Sequence, residues 1–552
     1  GPPLPEATAR DASIGAQLHR RLGSNPLASN WELVSARESK TGHPIGVLGP
    51  QVGYFIPEIL MEEDLHGPGI DARGATFPGV NLYVQLGHGR DYAWSATTAT
   101  SDNVDTFAEV LCQDDVHYLY KGECRAMDKL DVTNSWTPNA SDQTPPGSET
   151  LTVYRTVHGI VYARGKVGGK DVAFVTARTT YFHEADSALG FLRLNDPNFV
   201  KDPQSFRRAI DGINFAFNWA YIDADHIAYQ LSGAYPYRAP NTSPDFPILG
   251  TGEYDWQGFD PDRYLMHTVP LDKRPNAVDP RYLVSWNNKQ APGWAAADDK
   301  LSYGPVFRSK MIEQRVRNAI AGPRKMALEQ LVQAMEEPAT QDVRAVMLTT
   351  PLVRALGHPT PAPLRAEIDR LRGWATSGGH RRDLDKDGRY DEDDAVTLMD
   401  AWWPRMLDAI YRPVLGDEAF DALHDMLQFG GPPVGKAPDD YPGFSDGWWS
   451  YVNKDLRDMF NHRKPAGRLS RGYCGGGSRK ACRRLLRRTL LQALGDSHEE
   501  LYGHGDCASD PQARCFDQNR FTIASAVSVP NFPFQNRPTF QQTVEITQHL
   551  VR

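Results

Sequence analysis

No run of apolar residues in this 552-residue chain approaches the roughly 20 needed to cross a bilayer, so no membrane partner is expected. An excess of positive charge is also missing. The formal net charge is -9, which gives no overall attraction to nucleic acid or to an anionic surface. Cysteine is sparse, six in all, and none stands in the Cys-x-x-Cys or Cys/His spacing that a zinc site needs. Internal repeats and long low-complexity tracts are absent. The residues after Gly1 do not form a signal peptide, but a secreted protein in mature form would have lost one.

With 40% hydrophobic and 10% aromatic residues the chain can bury a large core. Its length suggests roughly three or four domains, or one elaborate single-core enzyme. The cysteines fall into three sequence-local pairs, Cys112 with Cys124, Cys474 with Cys482 and Cys507 with Cys515, each bracketing a short polar loop. Such pairing reads as disulfides made in an oxidising compartment, so a secreted or periplasmic location is expected.

Residues 1–28 are rich in Pro, Ala and Arg and read as a linker, with one short helical stretch around Asp11 to Leu22. From Trp31 the pattern turns to short strands at Glu32 to Ser35, Ile45 to Leu48 and Gly79 to Val84, with others at Thr152 to Val157 and Asp171 to Val175. Apolar spacing becomes helical at Arg308 to Ile320, Met326 to Met335 and Pro363 to Trp374, marking a helix-rich insertion over roughly 308–430. Strands followed by helices give an α+β layout. The stretch Arg483 to Leu491 alternates charge with apolar pairs and reads as an amphipathic helix with a solvated basic face, so no nucleic-acid partner is expected.

The main chemical signal is Ala28-Ser29-Asn30-Trp31, followed at a fixed distance by Gly49-Pro50-Gln51. A serine hydroxyl is a weak nucleophile and needs a base within hydrogen-bond reach. An N-terminal serine brings its own, because an α-amino group with a pKa of about 7.7–8.0 is poised for proton transfer near neutral pH. A chain that cleaves itself before Ser29 makes nucleophile and base together, and the small Ala28 leaves the scissile carbonyl accessible.

Further segments follow in order: Leu65-His66-Gly67-Pro68-Gly69, Gly87-His88, Ser95-Ala96-Thr97-Thr98, Thr156-Val157-His158-Gly159, Asn218-Trp219 and Gly233-Ala234-Tyr235-Pro236. After them come Gly250-Thr251-Gly252, Ser285-Trp286-Asn287-Asn288 and Asn536-Arg537-Pro538-Thr539. In this series the chain resembles the catalytic beta chain of the penicillin acylase family of N-terminal nucleophile hydrolases, over almost everything after residue 28. The resemblance implies a four-layer αββα sandwich with an added helix-rich region. It also implies that Ser29 is the nucleophile and that Gln51 helps hold its amino group and a water through the main chain. The Thr98 N–H and the Asn287 side-chain amide would form the oxyanion hole, and Arg308 would orient the site. Val52, Leu86, Ala96 and Phe217 map to an apolar acyl pocket. Gly23-Ser24 is a competing junction, but starting there requires deleting the residues between Ser24 and Ser29 to keep Gly-Pro-Gln in register.

Ser29 is not the first residue of the sequence, so its amino group is tied up in a peptide bond as written. Either the chain is an uncleaved precursor or a linker remnant, residues 1–28, stands with the catalytic chain, residues 29–552. The family's other chain, the alpha chain, is expected as a separate partner.

Asp383-Leu384-Asp385-Lys386-Asp387-Gly388-Arg389-Tyr390-Asp391-Glu392-Asp393-Asp394 has the pattern of an EF-hand loop. Asp383, Asp385, Asp387 and Asp391 supply oxygens at alternate positions, Arg389 supplies its carbonyl, and Asp394 stands where a bidentate Glu is usual. A second calcium site is implied by the family resemblance alone, at Asp102, Val104, Asp105, Pro244 and Asp298. Both are read as structural Ca2+ sites, and no organic cofactor is expected.

Rival chemistries fare poorly. Gly443-Phe444-Ser445-Asp446-Gly447 matches a nucleophile elbow, but the polar, proline-rich Lys436 to Pro442 before it is no buried strand. His498-Glu499 lacks the second histidine of a zincin, since Tyr502 stands there, and the glycines after Cys474 lack a phosphate-loop ending. The reading is therefore an amide hydrolase for a small-molecule substrate with an apolar acyl group. Benzylpenicillin-like amides, acyl-homoserine lactones and acylated peptides are all admitted. The alternative from another class is a catalytically silent, calcium-stabilised binding protein in which Ser29 is never liberated.

Overall fold

The computed structural model describes residues 29–52, 58–79, 82–139, 144–298, 303, 306–358, 361–427, 447–461, 469, 471–504, 507–509, 515, 517–519, 530–533 and 535–549. The expected helix at Asp11 to Leu22, the Gly23-Ser24 junction, Ala28 and most of the Gly443 to Gly447 motif lie outside the described residues. The chain opens with strands β1 (Asn30–Val34), β2 (Ile45–Gly49), β3 (Met61–Gly67), β4 (Ile70–Thr76), β5 (Leu86–His88), β6 (Tyr92–Thr98) and β7 (Val104–Val110). Next come β8 (His117–Tyr120), β9 (Glu123–Ala126), β10 (Asp128–Trp136), β11 (Gly147–Arg155), β12 (Ile160–Val167) and β13 (Lys170–Arg178). Helices α1 (Ala188–Asn195) and α2 (Pro203–Ile210) lead to β14 (Phe217–Asp223), β15 (Ile227–Leu231), β16 (Ile248–Leu249), β17 (Asn276–Val278) and β18 (Tyr282–Ser285).

The rest is helical: α3 (Val306–Ala319), α4 (Leu328–Glu336), α5 (Val343–Leu356), α6 (Ala362–Thr376), α7 (Asp393–Leu415), α8 (Asp417–Leu427), α9 (Trp448–Phe460), α10 (Arg479–Ala493) and α11 (His498–Tyr502). Short strands β19 (Gln518–Asn519), β20 (Phe532–Pro533) and β21 (Gln542–Glu545) end the described chain. This is the expected α+β class. Among the described residues no helix is long and apolar enough to cross a membrane.

An antiparallel sheet in the order β18-β1-β2-β21 packs against a seven-stranded one in the order β17-β15-β14-β6-β5-β4-β3. The alternation of β1 explains its burial on both sides. Trp31 and Leu33 join Leu48, Ala93, Ala220, Ile222 and Ile227 between the two sheets. Val34, with Ile45 and Val47 of β2, packs instead against Ile312 and Val316 of α3 and Leu331 and Met335 of α4. On the far side of the larger sheet, Phe191 and Leu194 of α1 and Phe206 and Ile210 of α2 cover Trp94, Trp219 and Tyr221. Burying each such side chain is worth about 1.5–3 kcal/mol. Glu32 shares the helix-facing side of β1. It is fully buried, and burial holds its carboxyl well above the ordinary carboxylate range against the pull of Arg315.

A third sheet, β10-β11-β12-β13-β7-β16, carries a buried imidazole. His158 Nδ1 stands 2.7 Å from Glu109 and Nε2 stands 2.9 Å from Asp255, with the ring stacked on Phe107. The helices from α5 onward, joined by Met311 of α3, form a second core around Trp374, Trp402, Trp403 and Trp448, which extends to Cys507 and Cys515. The disulfides Cys112–Cys124, Cys474–Cys482 and Cys507–Cys515 are all formed.

Two local expectations differ from what is found. No strand runs through the described part of Gly79 to Val84, because the Asn195 side chain, donating to the Val84 carbonyl and accepting its N–H, occupies that backbone. In the basic helix α10, Arg483 and Arg487 are not simply solvated. They donate to the carbonyls of Ala355 and Leu356, the last turn of α5, where a cation opposes the helix dipole.

Candidate active site

Ser29 stands at the entry to β1, buried and with φ of 85°. The neighbouring strands place its surroundings. Trp31 pairs with Ser285 on one side and Asn30 with Gly49 on the other. Continuing the two registers brings Asn287 and Pro50 alongside Ser29.

On the Pro50 side, the Gln51 N–H donates to Ser29 Oγ at 3.3 Å. The Gln51 side chain is held at both ends, Nε2 donating to Asn536 Oδ1 at 2.7 Å and Oε1 accepting from Trp286 Nε1 at 3.2 Å. Arg308, on the first turn of α3, donates to the same Asn536 oxygen at 3.2 Å and lies 5.4 Å from the Trp286 ring centroid. The end of β2 needs glycine at position 49, since a Cβ there would stand 2.3 Å from the Phe540 carbonyl.

On the other side, Ala99 donates to the Ala216 carbonyl at 3.1 Å, which makes that position of the β6–β14 ladder a hydrogen-bonded one. Thr98, paired with Phe217, is at the next position, so its N–H and carbonyl turn away from β14. There the carbonyl accepts from Asn287 Nδ2 at 2.9 Å. Asn287 is fully buried with φ of 60°, a left-handed conformation that asparagine tolerates better than most residues. The two sheets are joined beside it, Thr97 Oγ1 lying 2.7 Å from Ser285 Oγ and Trp31 Nε1 donating to the Asn218 carbonyl at 3.0 Å.

The four pocket positions are less tightly gathered. Leu86 and Ala96 are buried in one apolar cluster, with Phe217 packed on it and edge-on to Trp219 at 5.9 Å. Val52 is half-buried outside that cluster, its N–H donating to Thr539 Oγ1 at 3.2 Å.

Two acidic groups fall where calcium was expected. In the 383–394 loop, carboxylate oxygens of Asp383, Asp385 and Asp391 lie within 4.8 Å of one another. Asp383 accepts from the Asp387 and Gly388 N–H groups, and Asp387 from the Arg389 N–H, so the loop wraps as such loops do. Asp394 turns outward to Arg370 at 3.0 Å. In the second group, Arg238 pairs with Asp102 at 2.6 Å and with Asp105 at 2.8 Å, and Trp256 Nε1 donates to Asp105. Asp298 accepts from the Thr106 N–H and donates its own N–H to the Val104 carbonyl, while Pro244 is half-buried nearby in sequence to Asp245. Burial pushes the Asp102 carboxyl up to about 8, Arg238 opposing and Asp105, Asp298 and Asp245 adding to the rise. His498 of the failed zincin pattern faces Asp393 at 3.1 Å.

Sequence reasoning did not assign Asn536 or Trp286 a place here, although both lie in quoted motifs. Their contacts with Gln51 span 485 and 235 residues, so no local pattern marks them.

The family model described as Penicillin amidase matches residues 4–536. The chain is 26% identical over 399 residues to penicillin G acylase of Escherichia coli, which covers 70% of this chain and 43% of that protein. It is 24% identical over 350 residues to an acyl-homoserine lactone acylase of Pseudomonas syringae pv. tomato, covering 62% of this chain and 39% of that protein. Among solved structures, thermostable penicillin G acylase from Alcaligenes faecalis matches with a TM-score of 0.69 at 20% identity, over 94% of this chain and 88% of that one. The chain thus spans less than half the length of these curated relatives.

Proposed function

The chain belongs to the penicillin amidase family, and on that premise we propose that it is the catalytic chain of an acylase working through an N-terminal Ser29. Cleavage of the Ala28–Ser29 bond frees the α-amino group. A water relays the hydroxyl proton to that amine while Ser29 Oγ attacks the substrate amide carbonyl. The resulting oxyanion takes hydrogen bonds from the Thr98 N–H and Asn287 Nδ2, donors fixed before the charge develops. The C–N bond then breaks, the leaving amine takes the proton, and water hydrolyses the acyl ester to release the acid and Ser29.

The observation that carries this reading is the β1 register, which flanks Ser29 with the Gln51 N–H on one side and Asn287, bonded to Thr98, on the other. The helix layers on both outer faces of the paired sheets support the αββα sandwich of N-terminal nucleophile hydrolases. The apolar Leu86, Ala96 and Phe217 cluster favours an aromatic or aliphatic acyl group. Relatives named for penicillin and for acyl-homoserine lactones bracket the substrate class.

Membership of the penicillin amidase family supports a separate alpha chain as partner. The disulfides support a secreted or periplasmic location. Structural Ca2+ fits both acidic groups. Asp383, Asp385 and Asp391 gather their carboxylate oxygens within 4.8 Å, and Asp387 and the Arg389 carbonyl would complete the cradle. At the other, Asp102, Asp105 and Asp298 outnumber Arg238, which pairs with Asp102 Oδ2, and the buried Asp102 Oδ1 has no hydrogen bond among the described residues.

The test is amine release from a panel of phenylacetyl and straight-chain acyl amides and acyl-homoserine lactones, using protein whose Ser29 is free. Hydrolysis of one or more is expected. If none is cleaved, the acylase reading fails.

A further inference from the structure

Gln51 lies just past the end of β2, where the β1–β2 ladder no longer holds the backbone. Its main-chain N–H nevertheless has to meet Ser29 Oγ. The support comes from the far end of the chain. Thr539 donates its N–H to the Pro50 carbonyl at 3.0 Å, and its hydroxyl oxygen accepts from the Val52 N–H at 3.2 Å. Between these two clamps lies the Gln51 side chain, which Asn536 and Trp286 hold at its two ends.

Asn536 is suited to that task. It is 7% exposed, and its own N–H donates to the Ala339 carbonyl at 2.8 Å, which ties its backbone to the turn after α4. A side-chain carbonyl has two lone pairs. Both are used, one by Gln51 Nε2 at 2.7 Å and one by the Arg308 guanidinium at 3.2 Å. With Trp286 Nε1 donating to Gln51 Oε1, the Gln51 carboxamide has a defined orientation. The same two side chains also link the Gln51 side of Ser29 to the segment carrying Asn287, through Trp286.

We propose that Asn536, by accepting from both Gln51 and Arg308 through one oxygen, is a positioning residue that sets the Gln51 main-chain N–H against the Ser29 hydroxyl. The role rests on the reading of Ser29 as nucleophile.

The test compares Asn536→Leu, which keeps the branched outline and removes the acceptor, with Asn536→Asp, which keeps an accepting oxygen. kcat and KM are measured for hydrolysis of a chromogenic acyl anilide, normalised to the amount of chain beginning at Ser29, alongside thermal midpoints. Misplacement of a catalytic group by about 1 Å costs up to about a hundredfold in rate. Asn536→Leu is therefore expected to lose about tenfold to a hundredfold in kcat with little change in KM, and Asn536→Asp to recover most of it. Wild-type kcat in Asn536→Leu, equal losses in both variants, or a change confined to KM overturns the role. A wild-type protein that has free Ser29 and hydrolyses nothing overturns the acylase reading, and this role with it.

Discussion

Asn287 donates its side-chain N–H to the carbonyl oxygen of Thr98 at 2.9 Å. The bond spans the two sheets and fixes the amide beside a strand residue whose own N–H points the same way. Its side-chain amide, held against Thr98, is the donor that the proposed mechanism places at the oxyanion. Because Asn287 has φ of 60°, glycine is the substitution that removes the side chain without adding backbone strain. Asn287→Gly leaves the part-buried Thr98 carbonyl without that donor, so it should lose about 1–3 kcal/mol of stability, and it should lower kcat by about a hundredfold to a thousandfold, the usual cost of one oxyanion donor. Unchanged kcat would remove Asn287 from the mechanism.

His158 should carry a permanent charge at neutral pH. Glu109 and Asp255 face its two ring nitrogens, and ionised carboxylates only accept, so both nitrogens must hold protons. Burial works against the charge, but the two carboxylates outweigh it and push the imidazole from 6.5 up to about 9. A folded-state value above the unfolded one means that the stabilisation is complete below about 6.5 and is lost as pH rises through about 9. The wild-type thermal midpoint should fall between those limits. His158→Gln should be less stable by about 3–5 kcal/mol, as when one partner of a buried ion pair is removed, and should lack that part of the slope. Identical pH slopes in the two proteins would contradict the assignment.

Calcium binding to the 383–394 loop predicts a concentration-dependent rise in thermal midpoint. At a hundred times Kd the stabilisation is about 2.7 kcal/mol. Chelation should reverse it, and Asp383→Asn with Asp385→Asn should blunt the response, leaving any contribution from the Asp102 group. A thermal midpoint indifferent to both calcium and chelator would rule out a structural cation at either place.

The candidate site gathers residues whose motifs are local. Ser29, Gln51, Thr98 and Asn287 each sit in a short motif beside a strand end, and a strand register brings such ends together. What could not be read depends on side chains that reach across the chain. Asn195 takes the backbone of Val84 and prevents a strand that the alternation in Gly79 to Val84 favours. Asn536 meets Gln51 only after the last segment has folded back along Pro50 and Val52. The helix-rich region shows the same limit. Helical spacing marked α3 and α4, yet those two helices cover the β1 sheet, and the second helical core is built mostly from α5 onward, with Met311 of α3. Asp394 likewise fits an EF-hand by position, while its carboxylate goes to Arg370 on the neighbouring helix.

The central claim is that the bond before Ser29 is cut to make the nucleophile and its base at once. N-terminal sequencing with intact-mass measurement on active protein tests it most directly, with Ser29→Ala run in parallel. The expected result is an active chain that begins at Ser29 and a variant that stays uncleaved and without activity above background. An active protein with no chain beginning at Ser29, or turnover by Ser29→Ala, would contradict it.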